Sequence, residues 1–145
     1  MATWDEWRAR APHIDSGGRR VATYDLGPAT APSYTFCHGY PSASLDIADV
    51  AAQLDGLRLL ALDMPGFGAS DKPSAGKGGH TYSIHAAADA VEALWAAKGT
   101  TSTLLVAHDY SVSAAQELLA RRAEGSLGGR SDGPPELTGV VWMNG

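Results

Sequence analysis

Residues 107–111, Ala-His-Asp-Tyr-Ser, place a carboxylate between small residues two positions away on either side, where an apolar run (103–107) meets a helix-period run (112–124). That spacing suits a nucleophile elbow, a tight strand-to-helix turn that tolerates no bulk at those flanking positions and projects its central side chain above the sheet. A helix starting just behind offers free N–H groups and the positive end of its dipole, which favour an ionised Asp109 and any anion developing beside it. Aspartate is also a common helix cap, so Asp109 taken alone reads as either a nucleophile or a cap.

A second motif tips that balance. Residues 37–41, Cys-His-Gly-Tyr-Pro, follow another apolar run, and the His38-Gly39 pair lets the chain turn sharply with Gly39 admitting close backbone approach. The N–H of Tyr40 can then point into the same cleft as the N–H of Tyr110, giving two donors for an oxyanion hole. His-Gly-Tyr-Pro by itself is also a plain turn; the two motifs together point to chemistry. Asp63, in Asp-Met-Pro-Gly-Phe-Gly-Ala-Ser (63–70), is expected to cap or brace its loop rather than react. Ser111 is an alternative nucleophile, but using it slides the elbow two residues into the helix and crowds Asp109 against a strand, so Asp109 is preferred.

Five strands are expected to position these turns, at 20–25, 33–37, 57–62, 103–107 and 138–143. Apolar residues at three- and four-residue spacing predict helices over 82–98 and 112–124, and a shorter one around 46–54. Alternation of buried strands with helices is the pattern of an α/β fold with a mostly parallel sheet covered on both faces. The glycine-rich stretches 74–79 and 124–135 are expected to be mobile loops.

Composition limits what the chemistry can serve. Eleven basic against sixteen acidic residues give a net charge of −5 with no dense basic cluster, which argues against nucleic acid or an anionic membrane as partner. Cys37 is the single cysteine, so there is no internal disulfide and no thiolate metal cluster; a reducing, cytoplasmic location, no metal and no cofactor are expected. The first ten residues lack the apolar core of a signal peptide.

With these motifs in place, the chain resembles the α/β-hydrolase fold family along nearly its whole length, in the order strand, HGYP, helix, strand, DMPGFGAS, helix, strand, AHDYS, helix, strand. An elbow written His-Asp followed by an aromatic is similar to the branch of haloalkane dehalogenases and epoxide hydrolases. The run HDYSVSAAQELLARR is also similar to the mesoderm-specific-transcript group. The resemblance implies that Asp109 is the nucleophile, that Tyr40 and Tyr110 are the backbone donors, and that His38, Gly39 and His108 are structural. A small apolar substrate with an electrophilic carbon, an epoxide or halide, follows from the same likeness. Halide-binding members carry Trp and Asn where this chain has Tyr110 and Tyr40, which leaves an epoxide-hydrolase-like or an unassigned hydrolase reading ahead of a dehalogenase one. Glycine is usual where Ser111 stands.

The resemblance covers the N-terminal half of the fold, one partial domain over 1–145. The cap, the last strands, the catalytic acid and the catalytic His would lie in the other half. His13, His38, His80, His85 and His108 are expected to be structural or exposed. The expectation is therefore a fragment inactive alone, with the apolar strand 138–143 left as an uncovered edge open to self-association. The alternative is a non-catalytic scaffold that keeps the half-fold for binding.

Overall fold

The computed structural model describes residues 3–76 and 81–145. Six strands form one sheet: β1 (His13–Asp15), β2 (Arg20–Leu26), β3 (Ser33–Cys37), β4 (Arg58–Leu62), β5 (Ser102–His108) and β6 (Glu136–Met143). Their spatial order is β1-β2-β4-β3-β5-β6. β4, β3, β5 and β6 run parallel, whereas β1 and β2 form an antiparallel corner that closes onto β4. β1 escapes a reading of periodicity because His-Ile-Asp carries one apolar residue in three; the chain pairs it with β2 by backbone alone.

Two long helices, α3 (Ile84–Lys98) and α4 (Tyr110–Glu124), cover one face. Each ends on a left-handed glycine, Gly99 at φ 60° and Gly125 at φ 73°. Leu60 and Leu62 of β4 and Leu105 and Ala107 of β5 meet Val91, Leu94, Trp95, Ala115 and Leu118 there. The alternate residues Tyr34, Phe36, Leu59 and Ala61 face the other side with Trp7 and Ile47, as the period of two in a strand requires. That second face is covered only by short pieces: α1 (Trp4–Arg8), a 3-10 turn at Ser44–Ile47 and α2 (Ala48–Ala51). Leu104 and Val106 are consequently half-buried, so cover on both faces is only partly realised.

The helix expected around 46–54 is thus a 3-10 turn followed by a single α turn, and Val50 and Leu54 of its supposed apolar face are exposed. The tight 3-10 start has a reason: it turns Ser44 so that its N–H and hydroxyl both reach Asp63. α1 was not anticipated, although Thr3 and Glu6 form a complete capping box at its start. α4 begins at Tyr110, two residues before the expected start, because the helix springs directly from the turn at Asp109. On the far side, β6 is an edge strand whose Val141, Trp142 and Met143 are each at least 40% exposed. The stretch 124–135 runs from the end of α4 to β6 and carries an isolated bridge between Arg130 and Gly133; residues 77–79 of the stretch 74–79, and His80, lie outside the described residues. No helix among the described residues is long and apolar enough to cross a membrane.

Candidate active site

β3 and β5 are adjacent and parallel with Cys37 opposite Ala107, so the turns that follow them emerge side by side. The first runs through His38, Gly39, Tyr40 and Pro41, with a cis Tyr40–Pro41 bond. The second is Asp109 itself. Its N–H continues the sheet to the Met143 carbonyl at 2.9 Å, and its carbonyl accepts the Val112 N–H at 2.9 Å as the first bond of α4. Between those two duties its backbone sits at φ 52°, ψ −118°, a conformation unfavourable for any residue with a side chain.

The side chain of Asp109 makes no helix-capping hydrogen bond. Its Oδ1 instead accepts the N–H of Tyr40 at 2.8 Å, from the neighbouring turn. Hydrogen bonding from the N–H of Tyr40, and then from that of Tyr110, holds the carboxyl below the usual aspartate range, against a small opposing effect of burial. The carboxylate is thus hydrogen-bonded from the turn after β3, with the N–H that opens α4 lowering its pKa from behind. A carboxylate offers about four lone-pair sites, so among the described residues it keeps accepting capacity to spare.

Gly39 is required by space. A Cβ there would lie 2.7 Å from the Cβ of Asp109, 3.0 Å from His108 Nδ1 and 3.1 Å from Asp109 Oδ1. Any side chain would push the two turns apart. His38 is buried and uses both ring nitrogens on backbone: Nε2 accepts the Met64 N–H at 3.0 Å, and Nδ1 lies 2.8 Å from the Gly39 carbonyl. Burial lowers its affinity for a proton, so it is neutral. His108, the last residue of β5, packs against Gly39.

Asp63 sits at the end of β4, fully buried. It accepts from the N–H and hydroxyl of Ser44 (2.9 and 2.6 Å), from the Tyr24 hydroxyl (3.1 Å) and from the Ala69 N–H (2.8 Å). It is the brace of its loop, and Ser44 and Tyr24 are partners that sequence reasoning missed. Ser111, weighed as a rival nucleophile, is fully buried with its hydroxyl donating to the His38 carbonyl. Cys37 is no rival either, since burial pushes its thiol up to about 12.

Beside Asp109 opens a cleft of about 500 Å³, walled by Tyr40, Met64, Phe67, Tyr82, Ala86 and Tyr110. The two residues whose N–H groups hold the carboxylate also line the cleft. Phe67 stands edge-on to both Tyr40 and His38. Phe67 and Tyr82 were not singled out from sequence; an aromatic after a glycine-proline turn was the available signal. Among the described residues, no three His, Cys, Asp or Glu side chains gather as for a metal ion.

A family model described as alpha/beta hydrolase fold matches residues 35–111, which run from β3 through the turn at Asp109. A provisionally named hydrolase, LipZ, of Mycobacterium tuberculosis is 38% identical over 140 residues, covering 97% of this chain and 45% of that protein. The mesoderm-specific transcript homolog protein of Bos taurus is 36% identical over 121 residues, covering 79% of this chain and 35% of its own. Among solved structures, the DbeA-M1 loop variant of a haloalkane dehalogenase from Bradyrhizobium elkanii superposes with a TM-score of 0.71 at 26% identity, over 90% of this chain and 38% of that one. The chain spans less than half the length of each of these relatives.

Proposed function

The chain belongs to the alpha/beta hydrolase fold family, and from that premise we propose that its site works through Asp109 as a nucleophile on a small apolar substrate with an electrophilic carbon, an epoxide or an alkyl halide. The observation that carries this reading is the geometry at one residue: Asp109 stands at positive φ with its carboxylate turned away from its own helix to accept the Tyr40 N–H from a separate strand end. A cap or brace needs neither the unfavourable backbone nor the spare accepting capacity.

In the first step a carboxylate oxygen forms a bond to the substrate carbon, and the carbon–halogen or epoxide carbon–oxygen bond breaks. The halide leaves, or the alkoxide takes a proton from water. The carboxylate is ionised throughout the neutral range, so no base is needed for this step. In the second step water adds to Cγ of the ester. The oxygen facing the N–H groups of Tyr40 and Tyr110 takes up the charge; collapse then breaks the bond from Cγ to the alkyl oxygen, the alcohol leaves with the proton the water gave up, and the carboxylate is restored. The aromatic cleft beside the carboxylate supports an apolar substrate.

Adding that water needs a general base. His38 spends both nitrogens on backbone, His13 bonds the Ala69 carbonyl, and His85 pairs with Glu117 on the helix surface. His108 packs against Gly39. The reading therefore assigns the base to none of these four described histidines. A cytoplasmic site of action belongs to the same proposal, supported by the single, unpaired Cys37.

The test is intact mass after incubation with styrene oxide and, separately, with a 1-bromoalkane. One adduct per chain is expected, mapped to Asp109 and missing from Asp109→Asn. Finding no adduct with either probe, or an adduct that persists in Asp109→Asn, overturns the assignment.

A further inference from the structure

One peptide group, Gly39–Tyr40, carries the donor that reaches Asp109. Its N–H end bonds Oδ1 at 2.8 Å. Its carbonyl end accepts the Ser42 hydroxyl at 3.0 Å and the Ser42 N–H at 3.2 Å. Because His38 Nε2 accepts from Met64, the ring proton is on Nδ1, which donates to the same carbonyl. Three donors on the carbonyl fix the plane of this peptide and polarise its N–H.

The preceding peptide is held from the opposite side. Ser111, two residues after Asp109, sends its hydroxyl to the His38 carbonyl, with the Met64 sulfur 3.9 Å away. The side chain is fully buried, and a hydroxyl buried without an acceptor is costly. Space-filling alone would be served as well by alanine. The bond joins the two turns directly, elbow to oxyanion turn, beside the Tyr40 N–H to Asp109 hydrogen bond and the close packing at Gly39.

We infer that Ser111 is a positioning residue: its hydroxyl ties the elbow to the His38–Gly39–Tyr40 backbone and so sets the reach of the Tyr40 N–H to the Asp109 carboxylate. The inference rests on the reading of Asp109 as nucleophile for its catalytic meaning, but the geometry it asserts is measurable without any reaction.

Ser111→Ala keeps the volume and removes the donor. Two readouts separate the inference from its premise. In a carbon-13 NMR titration of the Asp109 carboxyl, Ser111→Ala is expected to titrate higher than the parent by about half a unit, because the Tyr40 N–H bond to the charged form loosens. In single-turnover alkylation by styrene oxide, the limiting rate is expected to fall about tenfold while the half-saturating concentration stays the same. Ser111→Thr, which retains a hydroxyl, is expected to restore most of both. An unchanged Asp109 titration in Ser111→Ala overturns the inference, whatever the alkylation does. A shifted titration with no alkylation of the parent chain supports the positioning role and removes only the nucleophile. If Ser111→Ala does not fold, Ser111→Cys carries a weak donor into the same space and must give an intermediate shift; no shift there overturns the inference equally.

Discussion

Asp63 and Asp109 each follow the last residue of a parallel strand, on either side of β3, yet the molecule treats them in opposite ways. Asp63 is fully buried and accepts four hydrogen bonds, two on each oxygen. Four donors match the lone-pair capacity of a carboxylate, so nothing is left to attack a substrate. Even its backbone serves the loop: its N–H bonds the Ala22 carbonyl and its carbonyl accepts the Ser70 hydroxyl. Asp109 is partly exposed, accepts one hydrogen bond, from the Tyr40 N–H, among the described residues, and sits at positive φ beside a cleft lined by Tyr40 and Tyr110. What separates the brace from the proposed nucleophile is the number of committed lone pairs and the backbone conformation, since residue type and place along the strand are shared.

The sharpest way to break this contrast is Asp63→Ala. It strands buried donors from Ser44, Tyr24 and Ala69, and at roughly 1–3 kcal/mol for each unsatisfied buried group the expected loss is about 3 kcal/mol or more. Urea unfolding measures it; a loss below about 1 kcal/mol would mean that the four bonds are not what holds the loop. Asp109→Gly should move stability the other way. Glycine adopts a positive φ at little cost, so the chain is expected to gain about 1 kcal/mol while losing all alkylation. A destabilised Asp109→Gly would make Asp109 a second brace and erase the distinction.

The smallest effect concerns His38, which links the two regions through Met64 next to Asp63 and through the peptide that reaches Asp109. Its folded affinity for a proton is lowered by burial, so the unfolded chain takes up the proton first as pH falls below about 6.5. Stability from this group is present above that pH and is lost as pH falls toward the folded value. The urea midpoint should drop between about pH 7 and pH 5, and His38→Gln should flatten that drop. An equal pH dependence in the two proteins would show that neutral His38 does not couple the turns.

Much of this site is legible in the order of residues. Small residues flanking Asp109 and a glycine after His38 are hard requirements of two turns that nearly touch, and sequence records such requirements as residue type. Asp63 was readable as a loop brace from its glycine-rich surroundings; Gly68, at φ 49°, leaves no room for a Cβ beside the Asp63 carboxyl. Its donors were not readable. Ser44 and Tyr24 lie 19 and 39 residues away in sequence, and neither sits in a motif. β1 and α1 were missed for another reason: three- and five-residue elements carry too little periodicity, and their stability comes from a partner strand and from the burial of Trp7.

By itself the sequence determined the parallel strands, the two long helices and the pair of turns, because each depends on local pattern: apolar runs, three- and four-residue spacing, and small residues where backbones approach. Only the tertiary structure decided which aspartate is saturated and which is bonded from the neighbouring turn, and that the Ser111 hydroxyl is spent on the His38 carbonyl. Those outcomes depend on hydrogen bonds between residues 19 to 73 positions apart. Such partners are chosen by the pairing of β2 and β3 with β4 and of β3 with β5, and no local pattern along the chain encodes them.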